Sequence, residues 1–229
     1  MKKCLILIAA MTALVSTTAK CQDVGLSFSY FFPKNGDFSV PVTPLSIRGI
    51  GFDFTSFSGI ETGVSLYRMS GMNIKDIPFS SDKALVGPFF SILVPVELVI
   101  FAESRRATFK IKGGGFAFYN FDTKLNEGNI DRALKEELNW EVINTDFQVD
   151  NTIGLGYLFG GELVYYINKK LGLNMEIQYL IGESDLNMQG TYTGLPSENE
   201  GLQTVEVSYP DSKLDFTGFE ISLGAIFTP

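Results

Sequence analysis

Among the 18 Lys and Arg and 26 Asp and Glu residues of this sequence, eight could act together in ionic or acid–base chemistry: Glu61, Glu97, Glu162, Glu176 and Glu220, with the cations Lys110, Lys112 and Arg48. Carboxylates and cations brought together can line an ion path, form a small-ligand site, or simply neutralise one another. The chain contains no histidine, which removes the usual general base, the usual metal ligand and every Ser-His or Cys-His nucleophile arrangement. Gly154-x-Gly156 followed by Gly160 and Gly161 superficially resembles a dinucleotide turn, and Gly113-Gly114-Gly115 follows Lys112 as in a phosphate loop. Neither opens a helix, so small residues packed inside strands account for both. The Asp and Glu residues show no calcium-loop spacing. No catalytic residue, cofactor or metal site is expected.

The elements that must position these charges begin after residue 21. Met1-Lys2-Lys3 is basic, residues 4–15 are apolar, and Ser16 to Ala19 are small, the order of a cleavable secretory signal with cleavage before Gln22. Both cysteines, Cys4 and Cys21, would leave with residues 1–21, and so would three lysines, taking the net charge from −8 to −11. Residues 22–229 then form a single domain. With 45% hydrophobic residues it is too apolar for disorder. An acidic chain lacking a basic tract is no nucleic-acid partner. No later stretch is long and apolar enough for a membrane helix; residues 89–101 are interrupted by Pro95 and Glu97.

Period-two alternation runs through the domain instead. One face carries Val24, Leu26, Phe28, Tyr30 and Phe32; then Ile60, Val64 and Leu66; then Phe90 through Ile100 on even numbers. The same face continues with Ile153, Leu155, Tyr157, Phe159, Leu163 and Tyr165; with Leu173 through Ile181; and with Phe219 through Phe227. Two stretches are irregular. Between residues 45 and 55 the phase slips, and Gly49 beside Arg48 marks a bulge that absorbs it. Between 107 and 121 a slip is expected around Gly113-Gly114-Gly115, leaving the facing of Phe116, Phe118 and Tyr119 open. These make eight strands. Their connections alternate between short (55–58, 102–106, 168–170) and long (33–44, 70–85, 122–150, 183–214), as in an up-and-down barrel with tight turns at one end.

The apolar face is expected outside. The polar face is rich in glycine (Gly25, Gly63, Gly154, Gly156, Gly160, Gly172, Gly218, Gly224), which suits a crowded interior and would only weaken a solvated strand. Lysines are scarce on it, and aromatic residues gather near strand ends as in an interfacial girdle. A soluble periplasmic lipocalin-like barrel binding an apolar ligand is the alternative, with the two faces exchanged.

On these residues the chain resembles the eight-stranded OmpA/OmpX-type outer-membrane barrels, in particular the plain barrels common in Bacteroidetes-like bacteria, over residues 22–229. Ser222, Gly224 and Phe227 resemble that family's C-terminal assembly signal, although Pro229 stands where the final aromatic is usual. The resemblance implies an all-β, eight-stranded antiparallel up-and-down transmembrane β-barrel with short periplasmic turns and long extracellular loops. It implies residence in the bacterial outer membrane, with outer-membrane lipid and the barrel assembly machinery as partners. Enzymes of such a fold generally use a histidine-containing site, so no enzymatic activity is expected here.

The five glutamates fall on the polar parity of five strands, with Lys110 and Lys112 on that of a sixth and Arg48 joining through the bulge. A charged lumen follows, its ions paired or hydrated, filled by side chains because eight strands leave little room. Above it, residues 122–146 carry a net −4 and 184–212 a net −5, against Arg105, Arg106, Lys169 and Lys170 in the short turns. Ile130, Leu134 and Leu138 predict a short amphipathic helix over 129–138, with Trp140 just after it. Residues 202–209 are expected to pair with 187–193 as a hairpin extending the barrel. An extracellular partner at loops 122–146 and 184–212 is the expected interaction, made by a monomer.

Overall fold

The computed structural model describes residues 24–196 and 201–228. The expected signal segment, both cysteines and Pro229 lie outside the described residues. Eight strands are β1 (Val24–Pro33), β2 (Val40–Asp53), β3 (Ser58–Met69), β4 (Phe89–Glu103), β5 (Ala107–Phe121), β6 (Ile153–Tyr166), β7 (Leu171–Asp185) and β8 (Gly218–Phe227). Each pairs antiparallel with its neighbours in sequence, and β1 pairs with β8 from Val24↔Phe227 to Pro33↔Gly218. The sheet is therefore closed, with no free edge in the wall.

The alternation decides the wall's two faces. Leu155, Tyr157 and Ile177 are 69%, 77% and 43% exposed, whereas Glu61 and Glu176 are buried inside. A continuous apolar exterior is unfavourable in water and is what a strand-built membrane protein turns to lipid. The lipocalin-like alternative, which needs those apolar residues around a cavity, is overturned by this orientation.

Three tight turns close one end. At 54–57 the Phe54 amide donates to the Ser58 carbonyl at 2.9 Å. At 167–170 the Asn168 side-chain oxygen accepts from the amides of Lys170 and Leu171 at 2.8 and 3.0 Å, an Asx turn. At 104–106 the Ser104 amide donates to the Ala107 carbonyl at 2.7 Å. The other connections run 34–39, 70–88, 122–152 and 186–217. The first is shorter than the sequence suggests because β2 starts at Val40, before its regular pairing.

In β2 the register moves from Ile47↔Val64 to Ile50↔Thr62, so that Arg48 and Gly49 stand opposite Gly63 alone, with Gly49 at φ 78°. That bulge needs a glycine in the left-handed region. It keeps Ser46 and Arg48 inward while Ile50 and Phe52 face out. The slip expected in β5 does not occur. Its pairing with β6 is unbroken from Ala107↔Tyr165 to Tyr119↔Ile153, so Phe116 and Phe118 point inward and Tyr119 outward. The apparent slip arises because the inward face changes from lysine to phenylalanine along a single strand.

Candidate functional site

The lumen is built from inward residues of all eight strands and divides into layers. Nearest the short turns lie Val99, Thr108, Val164 and Ile226, all buried. Above them sits the ionic layer. Glu162 pairs in register with Lys110 on one side and Glu176 on the other, and Glu61 pairs with Glu97. Like charges directly opposite one another repel, and between Glu162 and Glu176 a cation from a third strand reaches in. Lys112 Nζ lies 2.7 Å from Glu162, 2.8 Å from Glu176 and 3.1 Å from Glu61. Lys110 Nζ lies 2.7 Å from Glu61 and 3.5 Å from Glu162. Arg48, delivered by the bulge, donates to Glu220 and, at 2.9 Å, to Ser65.

Glu97 belongs to none of these ion pairs. Its carboxylate accepts from the Gln178 amide, which also donates to Glu176 at 2.9 Å, while Asn174 donates to Glu162 at 2.9 Å. Along the β8–β1–β2–β3 wall a serine chain continues the network: Ser222 to Ser29 at 2.6 Å, Ser29 to Ser46 at 2.7 Å and Ser46 to Ser65 at 3.0 Å. Ser222 also donates to Glu220 at 2.9 Å. Ionic hydrogen bonds are strong when buried and costly when broken, so this arrangement ties strands β2 to β8 together across the interior. Among the described residues no cluster of three or more acids is arranged to hold a metal ion.

The three C-terminal residues separate by parity. Ser222 faces inward, a Cβ at inward Gly224 would meet the Leu26 carbonyl and Ser27, and Phe227 lies exposed on the outer wall at the short-turn end.

Toward the long loops the lumen turns aromatic, which the sequence reading missed. Phe31, Tyr67, Phe116, Phe118, Leu158 and Leu180 are buried there, joined by Phe216 from the approach to β8. Phe216 stacks on Phe31 with centroids 4.5 Å apart and planes at 9°, and lies 4.6 Å from Phe118. The available signal was the set of bulky apolar residues on the otherwise polar parity, Phe31, Leu93, Phe116, Phe118, Leu158 and Leu180.

This layer is continuous with a folded lobe above the barrel. Helix α1 (Glu127–Leu138) packs on the strand Val142–Gln148 and buries Ile130, Ala133 and Leu134. Leu138, expected on that face, is 37% exposed. Asp131 accepts from the Thr145 amide and hydroxyl at 2.8 and 2.6 Å, fixing helix to strand. Val142–Gln148 pairs with Met188–Leu195, which pairs with Gln203–Tyr209. The expected hairpin thus forms, but as part of a separate three-stranded sheet rather than an extension of the barrel wall. Trp140 packs edge-on against Tyr192 at 5.4 Å. Burial raises the Tyr209 hydroxyl above its ordinary value, and the nearby Tyr192 adds to the shift. A groove of about 870 Å³ opens between residues 123–129 and Phe147–Val149. Lys75, from the second long loop, sits 2.9 Å from Glu183 and 3.0 Å from Asp215. Burial would lower its ammonium value, but hydrogen bonds to these two carboxylates hold it above the ordinary one.

No protein-family model matches the chain, and no curated protein matches it in sequence. Solved structures do match. The outer membrane protein OprG from Pseudomonas aeruginosa superposes with a TM-score of 0.53 at 12% identity, over 91% of this chain and 96% of that one. The outer membrane protein AlkL, determined in lipid bilayers, gives 0.44 at 14% identity over 93% and 92%. Ail of Yersinia pestis gives 0.40 at 10% identity over 90% and 95%. The OprG likeness establishes the fold: this is an eight-stranded barrel of the outer-membrane type, with the OmpA/OmpX-like architecture.

Proposed function

We propose that the chain is exported with loss of residues 1–21, is inserted into the outer membrane by the barrel assembly machinery through its Ser222, Gly224 and Phe227 strand, and serves there as a non-catalytic barrel with a filled lumen. Its role is at the surface: the acidic lobe built from residues 122–146 and 184–212 is the part that meets a partner outside the cell. The observation that supports this reading is the series of buried side chains inside the wall, Val99 and Val164, then Lys112 with its carboxylates, then Phe118 and Phe216. An eight-stranded wall encloses only enough space for such side chains, and a lumen spent on packing leaves the loops as the accessible surface.

Planar-bilayer recording of the refolded chain tests it. Absent or very small conductance is the expected result; a large, stable conductance overturns the filled lumen. Protease treatment of intact cells tests the orientation, with cleavage expected in the long connections. Cleavage confined to the short turns reverses the topology.

A further inference from the structure

The cations at the short-turn end take no part in the lumen or the lobe. Arg105 and Arg106 form the turn between β4 and β5, and Lys169 and Lys170 lie in the turn between β6 and β7. The two turns are neighbours, because the Tyr166 amide donates to the Arg106 carbonyl at 2.8 Å where β5 and β6 pair. All four side chains are exposed. None pairs with a carboxylate among the described residues. A groove of about 510 Å³ is lined by Arg105, Arg106 and Lys169, reaches Asn168 and Thr228 and has Glu103 at its side; Lys170 follows Lys169 in the same turn. The third turn, 54–57, has no cation and carries exposed Phe54 and Phe57 instead. Positive charge is thus gathered on one side of this rim.

Directly beside the groove the outer wall presents exposed Phe109, Tyr165, Ile167 and Leu173. We propose that this groove docks the headgroup of an anionic phospholipid from the leaflet that meets the short turns. Arg105, Arg106 and Lys169 in the groove's lining, with Lys170 in the same turn, supply charge complementarity to the phosphate, and the lipid's acyl chains lie against the adjoining apolar wall. Cations at a membrane surface attract anionic lipid at close range and are screened by salt. A free phosphate meets the cations but gains nothing from the wall. The proposal rests on the reading of that wall as lipid-facing.

The test is native mass spectrometry of the refolded full chain in detergent, titrated with phosphatidylglycerol or phosphatidylcholine of the same acyl chains. A retained-lipid preference on the order of tenfold for phosphatidylglycerol is expected, shrinking as salt rises. It is lost in the R105Q/R106Q/K169Q/K170Q variant, whose folding is checked by heat-modifiable gel mobility. If that variant fails to fold, R105Q/R106Q and K169Q/K170Q are measured separately, and each must weaken the preference. Equal retention of the two lipids, or an undiminished preference in the folded variants, overturns the proposal. So does displacement by glycerol phosphate at equal concentration, which marks a free-phosphate groove. A chain that retains neither lipid and shows no heat-modifiable mobility sinks the membrane-barrel reading itself, a result distinct from retaining both without preference.

Discussion

The ring of Phe116 on β5 occupies the space a side chain would need at Gly156, its direct cross-strand partner on β6. Phe118 stands in the same relation to Gly154, again its paired residue, and Gly182 on β7 gives the Phe116 ring its remaining room. A narrow barrel holds these bulky rings where the neighbouring strands give up their Cβ atoms. This explains why Gly154 and Gly156 of β6 face the inward phenylalanines of β5.

Filling that space should therefore destabilise the barrel. Gly154→Val and Gly156→Val are each expected to cost about 1–3 kcal/mol through overpacking, read as a lower midpoint in urea unfolding of the lipid-embedded protein. Gly128→Ala, at an exposed helical position with nothing within 4 Å of the added methyl, should instead stabilise α1 by about 0.5–1 kcal/mol. Equal behaviour of the two kinds of variant would contradict the packing described.

Lys112 contacts three carboxylates. Lys112→Met leaves them short of positive charge in a buried layer, and a loss of about 3–5 kcal/mol is expected. Lys83→Met, on the exposed second long loop, should stay within about 0.5 kcal/mol of the parent. Refolding yield and urea midpoint in the same lipid measure both.

Phe216 joins the lumen to the lobe through Phe31 and Phe118. Phe216→Ala should cost about 3–5 kcal/mol, the usual penalty for emptying an aromatic site in a core. A change below about 1 kcal/mol would mean that the aromatic layer is not packed as observed.

Leu134 is buried where α1 covers its sheet. Leu134→Asp places a charge in that core and should open the lobe without opening the wall, which is closed by its own hydrogen bonds. Limited proteolysis is expected to cut within 122–152 in this variant while heat-modifiable mobility persists. Loss of that mobility would show instead that barrel and lobe fold as one unit.

Much of this was legible in the alternation because a strand reports in-or-out at every second residue. The strands and the outward set from Val24 to Phe227 follow from that period, and the Gly49 bulge follows from the phase change beside Arg48. The β5 triplet misleads for the same reason. A parity pattern equates inward with polar, so Phe116 and Phe118 read as a slip when they are an aromatic layer on the unchanged inward face. The lobe was half legible. The hairpin lies within one loop, but its third strand, Val142–Gln148, comes from another, and pairing between distant segments leaves no local signal.

By itself the sequence determined which residues of the regularly alternating strands share a side of the wall, since side-chain direction along a strand follows from local backbone geometry. Only the closed tertiary structure decided who meets whom inside. Strand stagger sets the height of each residue along the barrel axis, and that height brings Lys112 to Glu61, Glu162 and Glu176, leaves Glu97 to Gln178, and stacks Phe216 on Phe31.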